Sequence, residues 1–214
     1  DTQIELKLMA ADAAANDNFG YSVAINGNTV VVGAVQSDNG GTGAAYVFRT
    51  SDGGATYNEV AKLTASDAAS NDRFGFSLAI DGDTVVVGTY RNCVYVFRTS
   101  DGGATYGQVA KLTADDVTSG FGHPVAIDGS TIVIGAYLDD DGGSDSGAAY
   151  VFRTTDGGAT YGQVAKLTAS DAAAGDYFGI SVAIDGDTLV VGANHKEAVY
   201  VFLTADSGAT YGQV

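Results

Sequence analysis

Apolar and polar positions alternate with period two along most of the chain, and one alternating pattern returns four times. Its clearest copy runs Phe74-Gly75-Phe76-Ser77-Leu78-Ala79-Ile80, then Asp81-Gly82, then Asp83-Thr84-Val85-Val86-Val87-Gly88. Related stretches begin at Phe19, Phe121 and Phe178. Period-two runs rich in β-branched residues predict strands. Asn-Gly or Asp-Gly between two such runs predicts a hairpin, because a type I′ turn needs positive φ at both central residues. The expected turns are therefore Asn26-Gly27, Asp81-Gly82, Asp128-Gly129 and Asp185-Gly186.

Each unit reads as four strands, A to D. In the first copy, A is 19–25, B is 29–35, C is 44–50 and D is 57–65. Strand A sets Phe19, Tyr21, Val23 and Ile25 on one face and Gly20, Ser22 and Ala24 on the other, so sheets can stack closely on the small side. Val30-Val31-Val32 is apolar on both faces, as a doubly covered strand requires. Strand D carries Glu59, Lys62 and Thr64 and belongs outermost. Pro124 falls in the third strand A, which suits an edge, since proline donates nothing to a ladder. Lys7, Lys62, Lys111 and Lys166 mark the repeat, with separations of 55, 49 and 55 residues. Four-stranded meanders at this period predict an all-β fold, a β-propeller of antiparallel blades. The expected organisation is one domain over 1–214, with blades at approximately 19–65, 74–114, 121–169 and 178–214.

The ends pose a separate question. Residues 1–10 align with strand D, whereas Tyr211 to Val214 begin another. A displaced outer strand would close the ring in cis, or in trans with a neighbouring molecule. Thr2 to Glu5 and Tyr211 to Val214 match the same four repeat positions, and both cannot fill one slot. Strand exchange in trans predicts a homo-oligomer or polymer carried by Ile4, Leu6, Leu8, Tyr211 and Val214. Two chains sharing one larger ring is a further alternative.

Charge narrows the choice of partner. Twenty-six acids against ten Lys and Arg give a net charge of −16. Nucleic acids and anionic membranes need basic patches and are excluded as expected partners. No apolar run is long enough to span a bilayer. A start at Asp1, without a methionine or leader pattern, is read as a processed, secreted, extracellular protein or as a fragment. Cys93 is the only cysteine and aligns with Ala44, a small strand position, so it is read as filler.

The hairpin and its flanks, Phe178-Gly179-Ile180-Ser181-Val182-Ala183 and Val190-Val191-Gly192-Ala193, resemble the FG-GAP repeat of integrin α-subunits and related extracellular propellers. Many members of that family carry a calcium loop before the V-G-A strand. Ile80 to Thr84 is too short to wrap a cation, so that site does not transfer. The family's closing proline is also missing; Val35, Tyr90, Tyr137 and Asn194 stand there. A second resemblance is to the Asp-box, S/T-x-D-x-G-x-T-aromatic, at Thr50 to Tyr57, Thr99 to Tyr106, Thr154 to Tyr161 and Thr204 to Tyr211. It implies a hairpin brace without catalytic duty.

Catalysis has little to draw on. Arg49, Arg98 and Arg153 are repeat-equivalent and should be dispersed, and His123 and His195 have no evident partners, so the chain is read as no enzyme. Asp139, Asp141 and Asp145 form the best candidate for a cation, Ca²⁺ by chemistry, in the longest B–C loop. A second acidic set lies in the D–A connections, at Asp12 and Asp17, Asp67 and Asp72, and Asp171 and Asp176. The expected function is a non-catalytic extracellular structural or adhesive propeller that self-assembles. The alternative is a glycan- or protein-binding propeller using the variable B–C loops.

Overall fold

The computed structural model describes residues 5–36, 41–114, 116 and 119–214. Blade 1 consists of β1 (Phe19–Asn26), β2 (Thr29–Ala34), β3 (Ala44–Arg49) and β4 (Asn58–Leu63). Blade 2 consists of β5 (Ser77–Asp81), β6 (Thr84–Gly88), β7 (Val94–Arg98) and β8 (Gly107–Leu112). Blade 3 consists of β9 (Phe121–Asp128), β10 (Thr131–Ala136), β11 (Ala148–Arg153) and β12 (Gly162–Leu167). Blade 4 consists of β13 (Phe178–Asp185), β14 (Thr188–Ala193), β15 (Ala198–Leu203) and the short β16 (Gly212–Gln213). Every sheet is an antiparallel meander in chain order. The inner strands β1, β5, β9 and β13 contact one another in succession, and Pro124 lies on the edge strand β9.

The turns differ from expectation by one residue. Asn26 pairs with Thr29 and Asp81 with Thr84, which leaves Gly27-Asn28 and Gly82-Asp83 at the turn centres. Only the glycine has positive φ, 53° at Gly27 and 50° at Gly82. That is the glycine-first pattern of a type II′ turn, not type I′. The shift frees the preceding carboxylate to bond across blades. Asp81 accepts from the Gly129 N–H at 2.7 Å, and Asp128 accepts from the Gly186 N–H at 2.6 Å.

Successive blades share apolar cores. Val31, Ala45 and Val47 of blade 1 meet Val85, Val87 and Phe97 of blade 2, and the same pattern joins blades 2 to 3 and 3 to 4. At the inner wall the Ser22 hydroxyl donates to the Gly75 carbonyl at 2.6 Å, and Ser77 repeats the bond to Gly122 at 2.6 Å. Gly33 and Gly88 sit under those carbonyls, where a Cβ would collide with them. The V-G-A glycine is therefore a close-approach residue.

Among the described residues the arc does not close on itself, and no core joins blade 4 to blade 1. Residues 5–10 form no strand, and among the described residues no closure in cis is present; Ile4 lies outside them. Leu8 and Ala10 instead pack on Val32, Ala34, Tyr46 and Phe48, on the outward face of blade 1.

Candidate functional site

The B–C and D–A loops open together on one side of the arc. Between blades 2 and 3 they frame a cleft of about 690 Å³, bounded by Asp67, Tyr90, Cys93, His123 and Tyr137. Strand geometry places His123 there, because β9 is an inner strand and its large face turns towards blade 2. Its ring stacks on Phe76 with centroids 3.9 Å apart and planes 15° apart. From there a line of rings crosses all four blades. Tyr21 meets Phe76 at 4.9 Å, His123 meets Tyr137 at 6.1 Å, Tyr137 meets Tyr177 at 5.8 Å, and Tyr177 meets His195 at 4.2 Å. Such contacts favour stacked and edge-on rings and leave flat apolar faces for a ligand.

Burial pushes the His123 pKa down to about 4, against a backbone hydrogen bond with Thr89. The ring is therefore neutral near pH 7, and its Nε2 is buried with no hydrogen-bond partner. A buried acceptor without a donor carries a desolvation cost. Cys93 is half-buried on the same wall, and burial raises its thiol pKa, which suits packing better than reactivity.

The other candidates are occupied by structural duties. Arg49, Arg98 and Arg153 do lie at three separate junctions, each lying against a hairpin glycine of the next blade: Gly103, Gly158 and Gly208. The four C–D hairpins share one bonding scheme. In the first, the Thr50 hydroxyl donates to Asp52 at 2.7 Å, and the Gly54 N–H donates to Thr50 at 2.8 Å. The Thr56 N–H and hydroxyl donate to Asp52 at 2.9 and 2.6 Å. The Thr56 bonds, with Thr50, hold the Asp52 pKa down to about 2 from 3.8, and Asp101, Asp156 and Asp206 are lowered further. Because the folded pKa lies below the unfolded one, this stabilisation is present above pH 3.8 and disappears as pH falls towards about 2. Asp52→Asn is expected to flatten part of that acid limb in urea titrations between those pH values.

The D–A carboxylates divide into two jobs. Asp17, Asp72 and Asp176 cap the N–H groups of Ala14, Ala69 and Ala173 at 2.7, 2.6 and 2.8 Å. Asp12 and Asp67 accept from the Tyr46 and Tyr95 hydroxyls and pair with Lys62 and Lys111. In the longest B–C loop, Asp139 and Asp141 do come together, but around the Lys166 ammonium, which also pairs with Asp116 at 2.9 Å. Asp139 is fully buried and accepts from the Tyr150 hydroxyl at 2.9 Å. Asp145 stands apart, its N–H donating to Asp140. Among the described residues no group of three or more His, Cys, Asp or Glu is arranged to hold a metal ion.

The aromatic line is the feature that sequence reasoning missed. Its signal was present: Tyr90 and Tyr137 stand where the repeat otherwise has its proline, and His123 aligns with Tyr21 and Phe76.

Solved structures with this fold share little sequence. Sqt1 from Saccharomyces cerevisiae is 12% identical with a TM-score of 0.55, over 93% of this chain and 48% of that one. Chaetomium thermophilum Sqt1 bound to the N-terminus of ribosomal protein L10 is 18% identical with a TM-score of 0.61, over 89% and 47%. The computationally designed Ika4 protein is 17% identical with a TM-score of 0.57, over 94% of this chain and all of that one. The chain thus spans about half the length of the Sqt1 chains it matches. No curated protein is matched by the sequence. The FG-GAP repeat model matches residues 3–48, 57–106, 106–152 and 161–211, and with the four meanders and the seam glycines described above it places the chain in the FG-GAP repeat family of β-propellers.

Proposed function

We propose that this chain is a non-catalytic binding module that takes a protein segment in the cleft between blades 2 and 3. The observation that carries the reading is the buried, unpartnered Nε2 of His123 beside exposed Tyr90. A ligand N–H or O–H would pair with that nitrogen while its apolar parts lie on Tyr90 and Tyr137. The net charge of −16 favours a segment with basic side chains. The Sqt1 fold, seen holding the N-terminus of a ribosomal protein, supports peptide recognition by a propeller of this kind. An adhesive role would use the same face towards a surface protein.

The test is selection from a displayed peptide library, followed by titration of chosen peptides. His123→Phe keeps the stack on Phe76 and removes the acceptor; Tyr90→Ala removes an aromatic wall. Each is expected to weaken binding about 10-fold or more, the size of a buried hydrogen bond or an aromatic anchor. Tyr161→Ala, on the opposite hairpin face, is expected to leave affinity unchanged. Peptides indifferent to both cleft variants, or binding to a glycan array alone, would contradict the reading.

A further inference from the structure

The two end faces of the arc have the composition of the two sides of an internal junction. Each internal junction joins the small, leading face of one blade to the large, trailing face of the next. Among the described residues no blade covers the trailing face of blade 1 or the leading face of blade 4. The exposures show the difference. Val23 is 67% exposed in blade 1, whereas its equivalent Val125 in blade 3 is 8% exposed. Val199 is 66% exposed in blade 4, whereas its equivalent Val94 in blade 2 is fully buried.

The polar seam is divided in the same way. Ser22 and Ser77 donate to a glycine carbonyl of the following blade, but among the described residues Ser181 of blade 4 reaches no such group. Gly75 and Gly122 are packed against the preceding blade, while nothing lies within 4 Å of a Cβ built on Gly20. Gly103, Gly158 and Gly208 are covered by arginines of the preceding blade, while Gly54 has none above it. At the arginine position blade 4 carries exposed Leu203. A donor set waits at one end and an acceptor set at the other.

The outer strand completes the match. Leu63 and Ala65, leaving β4, pack at the junction of blades 1 and 2. Leu8 and Ala10 pack on blade 1 in the same relation, where the strand end of a preceding blade would lie. Blade 4 holds only Gly212–Gln213 of its outer strand. Its Tyr200 and Asp171 are bonded at 2.7 Å, and Asp171 pairs with Lys196 of the B–C loop at 3.2 Å in place of the outer-strand lysine that Lys62 and Lys111 provide in blades 1 and 2. Lys7 is the repeat equivalent of those lysines and is exposed.

We infer that a second copy of this chain completes the ring. Each trailing face docks on the partner's leading face, and residues 6–10 of each chain extend the outer strand of the partner's blade 4, bringing Lys7 to the partner's Asp171. The arrangement asks no change of the arc, because residues 8 and 10 already lie in that position. Two four-blade arcs give an eight-blade ring with two-fold symmetry, which closes rather than propagates. This inference stands apart from the cleft between blades 2 and 3, which is complete in one chain.

The test is light scattering on the 214-residue chain as it eluted from a sizing column, beside Val23→Asp, Val199→Asp and Lys7→Glu. Both valines are exposed in the single chain, so their variants should keep native circular dichroism; Val109→Asp on the outer strand is the control. Wild type is expected at twice its 21.6 kDa mass. Either valine variant is expected to weaken the dimer about 100-fold or more, since one substitution alters both seams, and Lys7→Glu about 10-fold. Val109→Asp should remain dimeric. A monomeric wild type, an open-ended polymer, or a dimer unaffected by the face variants would overturn the inference.

Discussion

Gly88→Ala is expected to destabilise the fold by about 3 kcal/mol, read as a fall in the urea midpoint at unchanged m-value. A methyl group there would collide with the Gly122 carbonyl and with the Ser77 hydroxyl that bonds it. The obstacle on the far side is backbone, so no rotamer change relieves it, and the inner strands β5 and β9 must separate. Helix-type propensity arguments would call the change mild; the close approach decides otherwise. Gly192→Ala is the internal comparison. No neighbouring blade lies over Gly192, and only the flexible Ser181 side chain must move. In a single arc its cost should stay below about 1 kcal/mol. Measured in the Val23→Asp background, which keeps the arc single, equal costs at the two positions would mean that the seam does not limit the packing.

Lys166→Met is expected to cost about 3 kcal/mol, because it strands the fully buried carboxylate of Asp139. The ammonium is itself shielded and lies 5.1 Å from the centre of the Tyr150 ring. Burial opposes its charge, but its bonds with Asp141, Tyr150 and Asp116 outweigh this and raise its pKa. Lys62 and Lys111 occupy the same repeat position but pair with half-exposed carboxylates, so Lys62→Met should cost no more than about 1 kcal/mol. Adding Asp139→Asn to Lys166→Met should recover much of the loss, because it removes the buried charge rather than the pair. Thermal and urea unfolding of the three variants would decide. A Lys166→Met loss no larger than that of Lys62→Met would show that Asp139 is not the reason for the difference.

The fold was legible because every local signal agreed and then recurred. Alternation, turn dipeptides and the polar outer strand all pointed to one meander, and the placement of Pro124 on an edge followed from its missing donor. The turn register was not legible. Asp81 and Gly82 read equally well as two turn residues or as a strand end and a turn residue, and the inter-blade bond from Gly129 that distinguishes them is remote in sequence. The acidic loop was visible only as composition. Lys166, the cation that Asp139 and Asp141 meet, lies two strands later, and its charge gave no hint of that partner. The aromatic line failed for a related reason: Phe76, His123 and Tyr177 are neighbours only once three blades are stacked. Cis closure was a default borrowed from complete rings, and the uncovered faces of blades 1 and 4 do not make it.

Negative-stain or cryogenic electron microscopy of the chain as it elutes from a sizing column tests the open arc most directly. The account predicts ring-shaped particles with eight blades and two-fold symmetry, and single four-blade arcs for Val199→Asp. Closed four-blade rings from single chains would contradict it.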